Sequence, residues 1–135
     1  MIRQIQRSLP QTNVFLITPP PVAEDMLTIY NARKNKAIAL DRTNEVTRRY
    51  ALACIDSARK LNVQVIDLWS GLEGDSDNRS KYLSDGLHLN EIGNMKLYEI
   101  IRDKIEIDTP SLSASILPMV RPHWSKMIEI EHKIS

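Results

Sequence analysis

The sequence predicts an α/β fold. Two short apolar runs rich in β-branched residues, NVFLIT at residues 13–18 and VQVIDL at residues 63–68, read as strands. An amphipathic helical segment at residues 43–61 separates them. A strand, a connection long enough for a crossover and a second strand make a βαβ unit, with parallel strands and a right-handed connection.

Each element has its own signal. The run at 13–18 is apolar without strict alternation, as expected of a strand buried on both faces. Pro19, Pro20 and Pro21 have no N–H to donate and stop it. As a strand terminator, PPPV at 19–22 needs no further role. Within 43–61, Val46, Tyr50, Cys54, Ala58 and Leu61 recur at three- and four-residue steps on one face, and Arg48, Arg49, Arg59 and Lys60 fall mostly away from it. Cys54 on that stripe reads as a small core residue, and Trp69, just past the second strand, as a packing residue. Residues 69–86, WSGLEGDSDNRSKYLSDG, read as a polar loop punctuated by glycine. A helix is expected from Glu91 to about Ile107, with Ile92, Leu97, Ile100, Ile101 and Ile105 as apolar positions and Asn90 as its cap. The tail carries Pro118 and Pro122 and a short last helix.

At 135 residues the chain is expected to form one domain, with residues 1–107 as its body and 108–135 as a tail packed on it. Only two strands are legible, so the sheet is expected to be incomplete. Composition is that of an ordinary globular protein, 42% hydrophobic and 26% charged. A net charge of +1 gives no field for nucleic acid. Six basic residues between Arg33 and Arg49 read as a solvated face. No apolar run approaches the roughly 20 residues of a membrane span, and MIRQIQRSLPQTN at 1–13 is not expected to be a secretory signal, lacking the apolar run and cleavage site of one. One cysteine excludes an internal disulfide framework. A cytoplasmic location is the default expectation; oligomeric state is not legible.

The chemistry is concentrated in YLSDGLHLNEIGN, residues 82–94. Asp85 stands three residues before His88, with Gly86 between them to permit a tight turn. Imidazole deprotonates a hydroxyl nucleophile near neutral pH, and a carboxylate fixes the tautomer of that imidazole. By spacing alone, an Asp-x-x-His at a helix entrance fits a structural cap as well as a catalytic pair. A metal site is not expected: His123 and His132 lie in the tail, and no cluster has ligand spacing.

The segment resembles the last block of the GDSL, or SGNH, family of esterases and lipases, which carries a catalytic Asp-x-x-His followed by a helix. LITPPPV at 16–22, YALACIDSARKLNVQVIDLW at 50–69 and ILPMVRPHWSKM at 116–127 resemble the isoamyl acetate-hydrolysing branch, in matching order and spacing. The resemblance covers residues 13–127. It implies a flavodoxin-like three-layer α/β/α fold and hydrolysis of short-acyl carboxylic esters, the small-molecule substrates. It makes His88 the general base and Asp85 its orienter, with no metal or organic cofactor.

It also implies a nucleophilic serine, an oxyanion-hole glycine and a Gly-x-Asn-Asp asparagine ahead of a strand like NVFLIT. Only twelve residues precede that strand, and no Gly-x-Asn-Asp occurs. The chain is therefore expected to correspond to the carboxyl-terminal part of the family domain and to be inactive as it stands. Gly74-Asp75-Ser76 spells the serine motif but lies in a polar loop nine residues before Asp85, without a strand to form a rigid elbow. A solvated turn is the better reading. Two functions remain open: part of a serine ester hydrolase, or a non-catalytic interaction protein that pairs through its open sheet edge.

Overall fold

A computed structural model describes residues 1–34 and 42–113. The chain divides into two units, Met1–Asp103 and Lys104–Ser135. The first holds α1 (Ile2–Ser8), β1 (Phe15–Ile17), α2 (Glu24–Arg33), α3 (Asn44–Leu61), β2 (Gln64–Ile66), α4 (Leu68–Gly71), a 3-10 turn at Asp77–Tyr82 and most of α5 (Glu91–Asp108). The second holds the end of α5, where Lys104 pairs with Asp108 at 2.6 Å, and a 3-10 turn at Pro110–Leu112. The tail resemblance at 116–127 and the expected last helix lie outside the described residues, as does Lys36 of the basic cluster.

The fold class is α/β, as the sequence predicts. β1 and β2 are parallel, with Phe15 opposite Gln64, Leu16 opposite Val65 and Ile17 opposite Ile66. Thr18 N–H extends the ladder to Ile66 O at 3.0 Å, and the prolines end it there. Among the described residues the sheet has these two strands alone.

α3 begins at the Thr43 cap, whose hydroxyl accepts from Val46 N–H, and ends on Asn62 in the left-handed region at φ 50°. It packs on both strands, and its fully buried side chains are the small ones of Ala51 and Ala58. The expected stripe is only partly buried: Cys54 and Leu61 are half-buried, but Val46 is 39% and Tyr50 67% exposed. A sheet of two strands is too narrow to cover the amino-terminal half of an 18-residue helix.

The larger departure is the segment expected as a polar loop. It contains most of α4 and the 3-10 turn, and Leu72, Tyr82 and Leu83 are buried within it. Leu68, Leu72 and Tyr82 form a core cluster completed by Leu89, Leu97 and Ile100. One helical turn and a 3-10 turn are too short to show a period, so their apolar residues look isolated among polar neighbours. Trp69 is buried, as expected. α5 follows its predicted span, although Ile92 is 57% exposed; the closely packed face there is Gly93 against Tyr82 and Leu89. No helix among the described residues is long and apolar enough to cross a membrane.

With so small a sheet, polar contacts hold the loops beside it. Asn44 Oδ1 accepts from Val22 N–H at 3.0 Å and from the Trp69 indole N–H at 3.2 Å. Its Nδ2 donates to Gly74 O at 2.7 Å, and its backbone N–H donates to Glu24 Oε1 at 2.6 Å. Truncation leaves Val22 N–H, the Trp69 indole and Gly74 O unmatched, so Asn44→Ala is expected to cost about 2–3 kcal/mol in urea unfolding. A loss below about 0.5 kcal/mol would mean that water replaces the amide freely.

Candidate active site

The Asp85 loop is built almost entirely from its own backbone. Leu83 and Leu89 form an isolated antiparallel bridge at its base. Ser84 donates to His88 O twice, from its N–H at 2.8 Å and its hydroxyl at 3.1 Å. Asp85 Oδ1 accepts from Leu87 N–H at 2.9 Å and His88 N–H at 2.8 Å, a side-chain-closed turn that leaves Oδ2 for the imidazole. His88 Nδ1 lies 2.8 Å from that oxygen.

Two anchors place the loop. On the α5 side, Asn90 Oδ1 accepts from Gly93 N–H at 2.9 Å, the expected cap, while Nδ2 donates to Lys81 O at 2.8 Å and Leu83 O at 3.2 Å. On the α2 side, Ala23 N–H donates to Gly86 O at 2.9 Å. Gly86 has φ +89°, and a Cβ there would stand 2.5 Å from both Ala23 O and Leu27 N, so only glycine fits.

The pair is asymmetric. The Asp85 side chain is 13% exposed and that of His88 72% exposed. Burial pushes the Asp85 carboxyl up, but hydrogen bonds from His88 N–H, the imidazole and Leu87 N–H outweigh it and hold the carboxyl below its usual range. An ionised carboxylate only accepts, so Nδ1 donates in this contact, and in the neutral imidazole Nε2 is then the nitrogen with the lone pair. This is the tautomer a general base needs.

The other sequence candidates fall elsewhere. Ser76 caps the 3-10 turn, its hydroxyl accepting from Asn78 N–H at 3.1 Å. Among the described residues no hydrogen bond joins it to His88. Cys54 is half-buried, with Sγ 3.8 Å from Ile17 O; burial and the charge of Asp67 push its thiol up, away from a reactive thiolate. His123 and His132 lie outside the described residues. No three His, Cys, Asp or Glu among the described residues are placed to hold a metal ion. A groove of about 580 Å³ between α2 and the 3-10 turn is lined by Met26, Ile29, Arg33, Arg79 and Lys81, and neither Asp85 nor His88 lines it.

Sequence reasoning missed Glu24, Asn44 and Arg79, which fix the backbone behind the Asp85 loop. They are far apart in sequence and follow no motif, so no local signal marks them.

The profile of the GDSL-like lipase/acylhydrolase family matches residues 1–96, which include both Asp85 and His88. The chain belongs to the GDSL-like lipase/acylhydrolase family. The expected family resemblance is thereby established. This GDSL-family chain is 35% identical over 127 residues to the mouse isoamyl acetate-hydrolyzing esterase 1 homolog, covering 94% of the chain and 48% of that protein. Its human counterpart is 35% identical over 131 residues, again covering 94% of the chain and 48% of the relative. A GDSL esterase/lipase of Arabidopsis thaliana is 39% identical over 97 residues, covering 72% of the chain and 40% of the relative. The chain thus spans about half the length of the curated relatives it matches.

The Asp85 geometry sets a pH dependence. Its carboxyl is depressed on folding, so the stabilisation is full above the ordinary carboxylate range and is lost as pH falls through that range and below it. The stability difference between wild type and Asp85→Asn is expected to be largest at neutral pH and to shrink on acidification, read by urea unfolding across the range. A pH-independent difference would show that the carboxylate gains nothing from the loop.

Proposed function

We propose that this chain supplies the acid–base half of a serine ester hydrolase acting on short-acyl carboxylic esters. The carrying observation is the 2.8 Å contact between His88 Nδ1 and a shielded Asp85, with the remainder of the imidazole facing solvent. In this reading Nε2 of His88 takes the proton of a serine hydroxyl as the serine attacks the ester carbonyl. It returns that proton to the departing alkoxide, and water then deacylates the enzyme with His88 again as base. Asp85 holds the tautomer and stabilises the imidazolium. The mechanism draws on no metal or organic cofactor. The serine and oxyanion donors are assigned to polypeptide outside these 135 residues, a reading supported by relatives about twice as long.

One observation favours the second reading, an interaction protein. Among the described residues each strand of the two-stranded sheet has an outer edge without a neighbouring strand, and Ile17 of β1 is 46% exposed. A chain that runs as a stable monomer in size-exclusion chromatography and unfolds cooperatively counts against edge pairing.

The 135-residue chain is expected not to hydrolyse p-nitrophenyl acetate above background. Turnover abolished by Ser76→Ala would instead make Ser76 the nucleophile. In a full-length homologous enzyme, replacing the histidine that matches His88 with alanine is expected to lower kcat by about 10³-fold or more. Replacing the matching aspartate should remove most of the rate. Near-normal rates in both variants would break the assignment.

A further inference from the structure

Gly86 stands against the head of α2, where Ala23 and Leu27 face it, and Val22 is the residue that leads the chain into Ala23. Val22 is 2% exposed, and both of its polar backbone groups are taken by side chains. Asn44 Oδ1 accepts from its N–H at 3.0 Å, and Arg79 Nε donates to its carbonyl at 2.8 Å. The next N–H in the chain, that of Ala23, makes the bond to Gly86 O.

The Arg79 guanidinium is the centre of this arrangement. Its side chain is 19% exposed. Besides Val22 O it reaches Ser76 O through Nη1 at 2.8 Å and Glu24 Oε2 through Nη2 at 3.4 Å. Asp77 lies 3.7 Å from Nη1 but is fully exposed and adds little. Glu24 is itself fixed, because its other oxygen accepts from Asn44 N–H at 2.6 Å. Arg79 thus spends planar, directed donors on carbonyls of two separate loops, work that the compact ammonium of lysine does not do.

We infer that Arg79, seated by Glu24, is a positioning residue for the Asp85–His88 pair, acting through the Val22–Ala23 backbone and Gly86. The route is short: Arg79 fixes Val22 O, Ala23 N–H fixes Gly86 O, and the left-handed turn at Gly86 closes the loop in which Asp85 meets His88. If Val22 shifts, the adjoining Ala23 moves with it, the Ala23 N–H bond to Gly86 O is lost, and the loop opens. Arg79 touches neither member of the pair. Its catalytic meaning rests on the acid–base assignment made above; its effect on the geometry does not.

The test uses the whole 135-residue chain as Arg79→Lys, with Glu24→Gln as a second variant that keeps the guanidinium and removes its anchoring charge. Amide hydrogen exchange is followed at Ala23, Leu87 and His88, with Ala58 in the core of α3 as reference. The His88 tautomer is read from its imidazole ¹⁵N shifts. In Arg79→Lys the first three amides are expected to exchange about tenfold faster relative to Ala58. The imidazole should drift from the Nδ1-protonated tautomer towards a mixture, and Glu24→Gln should move both readouts less, in the same direction. Exchange that rises in step with Ala58 would reduce Arg79 to a general stabilising residue and overturn the inference. So would wild-type exchange and tautomer in Arg79→Lys. If Arg79→Lys does not fold, Glu24→Gln decides by the same readouts. Failure of the esterase reading is seen elsewhere, in the rates of the histidine and aspartate variants.

Discussion

The Asn44 side chain is the constraint on which the loops beside the sheet depend. A three-residue parallel pairing organises little by itself, and the prolines after β1 remove the backbone donors that would extend it. One amide, at the start of α3, joins the chain after β1, the Trp69 indole of α4 and the carbonyl of Gly74. Each bond has a modest net value of about 1 kcal/mol. Their geometry matters more, since a single side chain that satisfies donors and an acceptor from three segments fixes those segments relative to its own helix. Arg79 and Glu24 extend the same network towards the Asp85 loop.

The legible parts of the molecule were those whose signal is local or periodic. The strands announce themselves by β-branched residues and the prolines that end the first of them. α3 and α5 are long enough to show a helical period, and Asp85, Gly86 and His88 sit within four residues of one another. α4 and the 3-10 turn carry core residues but span about one or two turns, below the length at which periodicity speaks. α2 was hidden for another reason: of its ten residues only Leu27 is buried, so no stripe marks a face. Val46 and Tyr50 show the converse, since a clean stripe says which face is apolar but not how much sheet there is to cover it. The Glu24, Asn44 and Arg79 network is illegible in principle, because its members meet only after the fold exists.

The candidate site itself divides into a local part and a remote part. Bonds among residues 84 to 88 make the Asp–His contact itself. What the rest of the fold adds is the seat: Asn90 at the head of α5 and the Ala23–Gly86 contact at the head of α2. In the proposed acid–base reading, the seat is what sets the direction in which the imidazole faces.

The crossover bears on how the chain reaches this state. Thr18 and Asp67, joined at the ends of the strands, are 49 residues apart in sequence. Closing so long a segment as flexible chain loses entropy before any strand contact repays it. α3 occupies 18 of those residues and carries a start signal in Thr43 and a stop signal in Asn62, both readable before any strand has found its partner. Once formed, it is a strut about 27 Å long that replaces over a third of the crossover with a stiff element. The search for the β1–β2 pairing then becomes the docking of a stiff element onto a short strand, so the rate of assembly should be governed by how early that helix forms.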